Sequence, residues 1–203
     1  MKIATEGSVA LLMLSGSIRP HQVYEIEDAL NSLAELIESG REDAAETTYK
    51  LSGLYRRILD SSGSKTTSLT SELEIVRAYL ELEHLRFGDR LTFKIHAPDN
   101  SSEIFLPSLL LQTLVENAVK HGIAPSVEGG EVQIEIAPDK DGYRLAVINS
   151  GARLPAQWKD GTGLVNTKAR LHLLYGDTHH FTLRTDDEIG TCASFHFSGQ
   201  RSE

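Results

Sequence analysis

Hydrophobic residues recur every three or four positions along four segments of the chain, which is the spacing of one face of an α-helix. They predict helices at about 21–39, 42–59, 71–87 and 109–123, and a shorter helix is predicted at about 164–175. Alternating segments predict strands at 91–97, 131–137, 143–149, 181–185 and 192–197. The order of these elements predicts an α+β fold, in which two helices precede a two-layer sandwich with helices covering one face of a sheet.

A serine-rich polar stretch, Ser61 to Ser68, separates the first two helices from the rest and indicates a linker. Two domains are therefore predicted, a helical hairpin at 1–66 and a mixed α/β domain at 67–203. A hairpin alone buries only part of its apolar stripe, so we expect it to pair with a second copy and form a homodimer.

Polar residues and breakers predict how the later helices begin and end. Thr70 is the predicted N-cap of the helix at 71–87, and Glu72 lies near its positive end. Pro107 is predicted in the first turn of the following helix, and Gly122 is predicted to end that helix.

Net charge limits the classes of partner. The chain carries a formal charge of −9, whereas nucleic-acid surfaces need clustered Lys and Arg, so no nucleic-acid partner is expected. The single cysteine, Cys192, excludes an internal disulfide and favours a cytoplasmic location. The early apolar run from Val9 to Leu14 is far shorter than the roughly 20 residues of a membrane span. Any membrane sensor is therefore expected on another chain or outside this sequence.

The helix predicted at 109–123 carries polar residues that suit a metal-bound triphosphate. Asn117 and Lys120 are three residues apart and project from nearly the same side, and Glu116 is adjacent. An amide oxygen can ligate Mg²⁺, a lysine can contact phosphate, and a carboxylate can accept a proton. The same pattern also fits an amphipathic helix whose charges are solvated.

A second polar segment contains Gly161-Thr162-Gly163 at the start of the last predicted helix. Glycines there allow backbone N–H groups to approach a phosphate, and the helix N-terminus adds positive potential. A single Gly-x-Gly is common in unrelated proteins, so its weight comes from the order of the surrounding elements.

Taken in order, these segments resemble the nucleotide boxes of the GHKL ATPase superfamily, which includes gyrase, histidine kinases, mismatch-repair proteins and a heat-shock chaperone. Glu116-Asn117 with Lys120-His121-Gly122 resembles its N box, and Asn149-Ser150-Gly151 resembles its adenine-binding box. The segment from Gly161 to Asn166 resembles the second glycine box, and Gly190-Thr191 the last nucleotide-contact position. The wording is most similar to the LytS-type sensor histidine kinases.

This resemblance implies a Bergerat-type ATP site. Glu116 would be the general base, Asn117 the Mg²⁺ ligand, and Lys120 a phosphate contact, while Asn149 would accept a hydrogen bond from the adenine amino group. The family usually has Asp at the position of Asn149; an amide oxygen also accepts that bond, without charge assistance. The remaining nucleotide contacts that the resemblance implies are His121, Gly151, Gly161, Thr162, Gly163, Leu164 and Thr191.

The phosphoacceptor segment departs from the family pattern. The family has Pro-His followed by Phe-Leu-Phe-Asn, and counting back from the intact Ala29 to Leu33 places Tyr24 at the histidine position. The pair Pro20-His21 lies three residues earlier, a displacement of about 60° and about 4.5 Å along a helix. Either the hairpin has three extra residues and His21 accepts phosphate, or His21 is an ordinary exposed residue at a helix start.

The function implied is the cytoplasmic core of a LytS-like sensor histidine kinase in a two-component system. It would be a dimeric enzyme that binds ATP and Mg²⁺, autophosphorylates His21, and passes the phosphoryl group to the receiver domain of a response regulator. Two alternatives remain open. One is an ATP-binding pseudokinase or signalling scaffold without autophosphorylation, and the other is a serine kinase similar to the anti-sigma kinases.

Overall fold

The computed structural model describes residues 65–140, 142–154, 161–176, 180–186 and 190–200, together with Gly53, Leu54 and Ile58. The backbone forms two compact units, Met1–Gly63 and Ser64–Glu203, and the account below concerns the second. The predicted hairpin as a whole, including His21, lies outside the described residues. Among the described residues, no helix has both the length and the hydropathy needed to cross a bilayer.

The second unit contains three helices and seven strands among its described residues. In chain order these are β1 (Thr66–Ser68), α1 (Leu69–Phe87), β2 (Leu91–His96), β3 (Phe105–Pro107), α2 (Leu110–Asn117), β4 (Gly130–Asp139), β5 (Gly142–Asn149), α3 (Thr162–Tyr175), β6 (Thr182–Asp186) and β7 (Gly190–Phe197). A π-helix, Ala118–Ile123, continues α2 directly. Short 3₁₀ turns occur at Gly88–Arg90 and Ser101–Glu103.

Five of the strands form one sheet in the order β2-β4-β5-β7-β6. The pair β2 and β4 is parallel, and the other pairs are antiparallel. Alternate strand residues enter a core shared with the three helices, as the period of two predicts. They include Val132, Ile134, Ile136, Leu145, Val147, Ala193, Phe195 and Phe197. The predicted α+β sandwich is confirmed.

The end of the predicted linker is a strand. Residues Thr66–Ser68 pair antiparallel with β3, with Thr66 opposite Pro107 and Ser68 opposite Phe105. Strands of three residues are too short to show an alternating pattern, which is why the sequence did not predict them. The placement of Pro107 in a helix was therefore wrong, because this residue ends β3 and α2 begins only at Leu110.

Helix α1 begins earlier than its pattern predicts, and a different residue caps it. The N-cap is Ser68, whose Oγ accepts a hydrogen bond from the backbone N–H of Ser71 at 3.2 Å. Thr70, the predicted cap, is exposed within the first turn. The strand pairing of Ser68 places the cap one turn edge earlier, because the chain leaves β1 directly into the helix.

Glu72 occupies a position that its sequence context did not predict. Instead of facing solvent at the start of α1, it is fully buried, and its carboxylate accepts hydrogen bonds from two backbone N–H groups. These belong to Leu109 at 2.6 Å and Leu111 at 3.0 Å, at the start of α2. Glu72 therefore caps the N-terminus of a helix other than its own.

Burial raises the pKa of the Glu72 carboxyl to about 7, because desolvation penalises the charged form. The N–H donors of Leu109, Leu111 and Gln112 oppose this rise, as does the charge of Arg170 on α3. One buried carboxyl group thus interacts with all three helices of the domain.

The cap of α1 can be tested with Ser68→Ala and, as its matched control, Thr70→Ala. Loss of the Ser68 hydroxyl should lower the free energy of unfolding by about 1 kcal/mol. Loss of the exposed Thr70 hydroxyl should change it by less than about 0.5 kcal/mol. Urea titration of the two variants measures both values, and a larger effect at Thr70 would contradict the assignment.

Titration of Glu72 should make stability depend on pH. Its folded pKa is about 7 against an ordinary 4.5, so between these values the folded protein holds a proton that the unfolded chain has released. The contribution of Glu72 to the free energy of unfolding should therefore fall as pH rises through that window, by up to about 3 kcal/mol. The difference between the parent and Glu72→Gln, measured in urea at successive pH values, isolates this slope. A difference that stays flat would refute it.

Candidate functional site

Four of the predicted site residues lie where α2 passes into the π-helix. Glu116 and Asn117 are the last residues of α2, and Lys120 and His121 belong to the π-helix. Such π segments are rare and are frequent at functional sites. Gly122 lies inside this segment, so helical structure continues one residue past the predicted end, to Ile123.

The amide of Asn117 has a defined orientation. Its Nδ2 donates a hydrogen bond to the carbonyl oxygen of Thr113 at 2.7 Å. Only the NH₂ group can donate to a carbonyl, so the Oδ1 atom is the one available to a cation. The half-buried Asn117 therefore meets the requirement for a Mg²⁺ ligand that the sequence suggested.

Glu116 is held in a similar way, since Gln112 Nε2 donates a hydrogen bond to its Oε1. Lys120 and His121 are exposed at the edge of the same segment. Partial desolvation and the neighbouring charge of Lys120 lower the pKa of His121. At neutral pH the imidazole is thus predominantly neutral, and the cationic group at this edge is Lys120.

The π-helix lies directly against the end of β5. Asn149 is only 5% exposed, and a Cβ at Gly122 would come within 2.1 Å of its Oδ1. The carbonyl oxygen of Gly122 accepts a hydrogen bond from the N–H of Ala152 at 2.7 Å, and a Cβ at Gly151 would come within 2.3 Å of that oxygen. Side chains at either glycine would push the helix away from Asn149.

A small cavity brings together residues that are far apart in the sequence. Asn117, His121, Asn149, Leu164 and Thr191 all line it. Its apolar walls come from α2, the π-helix, β5, α3 and β7, and include Leu114, Ala118, Val147 and Ala193. Five predicted nucleotide contacts therefore share one cavity.

Two buried polar atoms face this arrangement unsatisfied. Asn149 Oδ1 and Thr191 Oγ1 have no hydrogen-bond partner within the described part of the chain. An unpaired buried polar group costs about 1–3 kcal/mol, so a ligand that donates hydrogen bonds there would be favoured. The amino group of adenine is such a donor, and the apolar walls suit its ring.

The cavity measures about 30 Å³, which is room for a water molecule and not for a purine. A base could therefore enter only after lining side chains move apart. Leu154 and Leu164, which line one wall, flank the glycine-rich segment between β5 and α3.

The second glycine box lies at the start of α3, beside α2. Gly161 is the N-cap residue of α3 and is exposed, with no atom within 4 Å of the place where its Cβ would be. A Cβ at Gly163 would lie 3.4 Å from the methyl group of Thr113. Thr162 is the first residue of α3. This helix N-terminus thus offers open space close to the residues of α2.

Sequence reasoning missed the residues that support the site. Thr113 and Gln112 each lie four residues before a predicted site residue, Asn117 and Glu116, and bond to it. Polar residues four apart on an otherwise apolar helix were the available signal. The contact between Gly122 and Asn149 had no signal in the spacing, because it joins residues 27 positions apart in the sequence.

Comparisons with known proteins point to one family. A family model described as histidine kinase matches residues 9–91. The sensor histidine kinase YpdA of Escherichia coli is 32% identical over 202 residues, covering 95% of this chain and 34% of that protein. The sensor protein LytS of Staphylococcus epidermidis is 27% identical over 194 residues, covering 89% and 32%. The chain thus spans about a third of the length of these relatives.

Among solved structures, the histidine kinase domain of the blue-light activated histidine kinase EL346 from Erythrobacter litoralis is similar in fold. Its TM-score is 0.51 at 14% sequence identity, and the match covers 97% of this chain and 93% of that domain. At this identity the likeness establishes the fold alone.

The contact between the π-helix and β5 can be tested with Gly122→Ala. The added methyl would overlap Asn149, so we expect a loss of about 1–3 kcal/mol in the free energy of unfolding. Gly161→Ala is the control, because its methyl would meet no atom within 4 Å. Chemical denaturation of both variants makes the comparison, and equal losses would refute the contact.

Proposed function

Because the chain belongs to the histidine kinase family and resembles its LytS-type sensors, we propose that it binds Mg-ATP and transfers the γ-phosphoryl group to a histidine of its own N-terminal segment. The observation that carries the proposal is the shared cavity, in which Asn149 and Thr191 present unpartnered buried oxygens beside Asn117. These are the positions that the resemblance assigns to adenine and to the cation.

Adenine recognition is assigned to Asn149 and Thr191. The Oδ1 of Asn149 accepts a hydrogen bond from the amino group of the base, and the ring lies between the apolar walls formed by Leu114 and Leu164. An amide lacks the charge assistance of the Asp usual at this position, so the bond is weaker. The buried setting of Asn149 compensates in part, since water does not compete there.

Cation and phosphate are assigned to the end of α2 and the start of α3. Asn117 holds Mg²⁺ through Oδ1, with water and phosphate oxygens completing the shell. No group of three or more His, Cys, Asp or Glu suited to a metal occurs among the described residues, which fits a cation bound by few protein ligands. Lys120 and the backbone at Gly161 to Gly163 are positioned for phosphate oxygens.

Phosphoryl transfer is assigned to Glu116 and His21. Glu116 accepts the proton that the acceptor imidazole loses, while the charges around the phosphates stabilise the transferring group. His21 falls within the segment that matches the histidine kinase model. Dimerisation through the hairpin at 1–66, relay to a response regulator, and the catalytic domain at 67–203 belong to the same proposal.

A second candidate is a nucleotide-binding scaffold without autophosphorylation. The specific observation in its favour is the altered acceptor segment, in which Tyr24 takes the aligned position of the histidine. Nucleotide would then order the site and alter partner affinity, with no transfer.

Nucleotide binding is tested by calorimetry with a non-hydrolysable ATP analogue and Mg²⁺. The parent should bind, and Asn117→Ala should lose at least tenfold in affinity because the cation loses its protein ligand. Asn100→Ala, an exposed amide outside the cavity, is the matched control and should bind as the parent does. Equal affinity in all three proteins would count against the site.

Transfer is tested with γ-labelled ATP. The full chain should acquire a label that is labile in acid and stable in base, and His21→Ala should abolish it. Glu116→Gln should keep nucleotide binding and slow labelling by about 10²–10⁴-fold. A parent that binds nucleotide and acquires no label would favour the scaffold, and a label that survives in His21→Ala would exclude His21 as the acceptor.

A further inference from the structure

The start of α2 depends on a carboxylate from another helix. Leu109, its N-cap residue, makes no side-chain capping bond and has a φ of 60°, in the left-handed region that non-glycine residues rarely adopt. Glu72 of α1 supplies the missing acceptors, through the N–H groups of Leu109 and Leu111. Since Glu72 is fully buried, water cannot replace it if it is removed.

A continuous set of hydrogen bonds runs from this cap to Asn117. The carbonyl oxygen of Leu109 accepts hydrogen bonds from Thr113, from its N–H at 3.2 Å and from its Oγ1 at 2.8 Å. The carbonyl oxygen of Thr113 in turn accepts the hydrogen bond that orients the Asn117 amide, at 2.7 Å. Each step spans four residues, so the set follows one side of the helix.

A second set runs from the same cap to Glu116. The backbone N–H of Gln112 is a third donor to Glu72. The side chain of Gln112, only 3% exposed, donates to Glu116. The two residues proposed to hold the cation and to accept the proton are thus both connected to one buried carboxylate.

We propose that Glu72 is a positioning residue of the nucleotide site, which fixes Asn117 and Glu116 through these two sets of hydrogen bonds. A shift of α2 by one residue would rotate both side chains by about 100° away from the cavity. Because Glu72 belongs to α1, displacement of α1 would change the affinity for Mg-ATP. The inference rests on the proposed function for the identity of the ligand.

The test compares Glu72→Gln with Val76→Ala at pH 8, where the Glu72 carboxyl is ionised. Glutamine keeps the volume but turns an NH₂ group toward an N–H donor. Val76 is also fully buried on α1 and has no part in the hydrogen-bond sets, so its variant reports core destabilisation alone. We expect Glu72→Gln to weaken binding of the Mg²⁺-loaded ATP analogue at least tenfold more than Val76→Ala does.

The same titration in EDTA separates positioning from general damage. Without Mg²⁺ the ATP analogue relies on Asn149 and Thr191, which lie outside the two sets, so both variants should then bind alike. Equal losses in the two variants with Mg²⁺ would overturn the inference. Should Glu72→Gln fail to fold, Glu72→Asp keeps the charge with a shorter reach and is expected to lose affinity for the Mg²⁺-loaded analogue by at least threefold.

A readout without nucleotide keeps the inference separate from the proposed function. The side-chain amide protons of Asn117, followed by NMR in the free protein, should shift in Glu72→Gln and not in Val76→Ala. If the parent binds no nucleotide, the proposed function fails while this shift still decides whether Glu72 orients Asn117. Unchanged Asn117 resonances in Glu72→Gln would overturn the inference.

Discussion

The close approach of Gly122 to Asn149 is the contact on which the site depends. A Cβ at this glycine would lie 2.1 Å from the Asn149 oxygen, so only a bare backbone lets the π-helix lie against the end of β5. That approach buries Asn149 beneath the helix and leaves its oxygen unpartnered among the described residues, next to Thr191. The acceptor proposed for adenine is thus a consequence of helix–sheet packing.

Both ends of α2 are held by groups from other elements. Glu72 of α1 caps its start, and the turn after β5 receives its π-helical continuation through the bond from Ala152 to Gly122. A helix of eight residues is marginal by itself, so these contacts and core packing determine its position. The residues proposed to bind the cation and accept a proton lie at the junction between the two anchors.

The sequence predicted the long elements of the described domain because their periods are strong. It did not predict β1 and β3, which are too short to show alternation, and it misassigned Pro107 and the cap of α1 for the same local reason. The family resemblance supplied the site residues, and the structure places five of them around one cavity. The buried role of Glu72 could not be predicted, since it depends on a tertiary contact with residues 37 and 39 positions later.

The most direct measurement of the central claim is a crystal structure of the protein with a non-hydrolysable ATP analogue and Mg²⁺. The expected result places the adenine amino group within hydrogen-bond distance of Asn149 Oδ1, with the cation on Asn117 Oδ1 and the cavity walls moved apart. A nucleotide bound elsewhere, or one that leaves the Asn149 oxygen unpaired, would contradict the account.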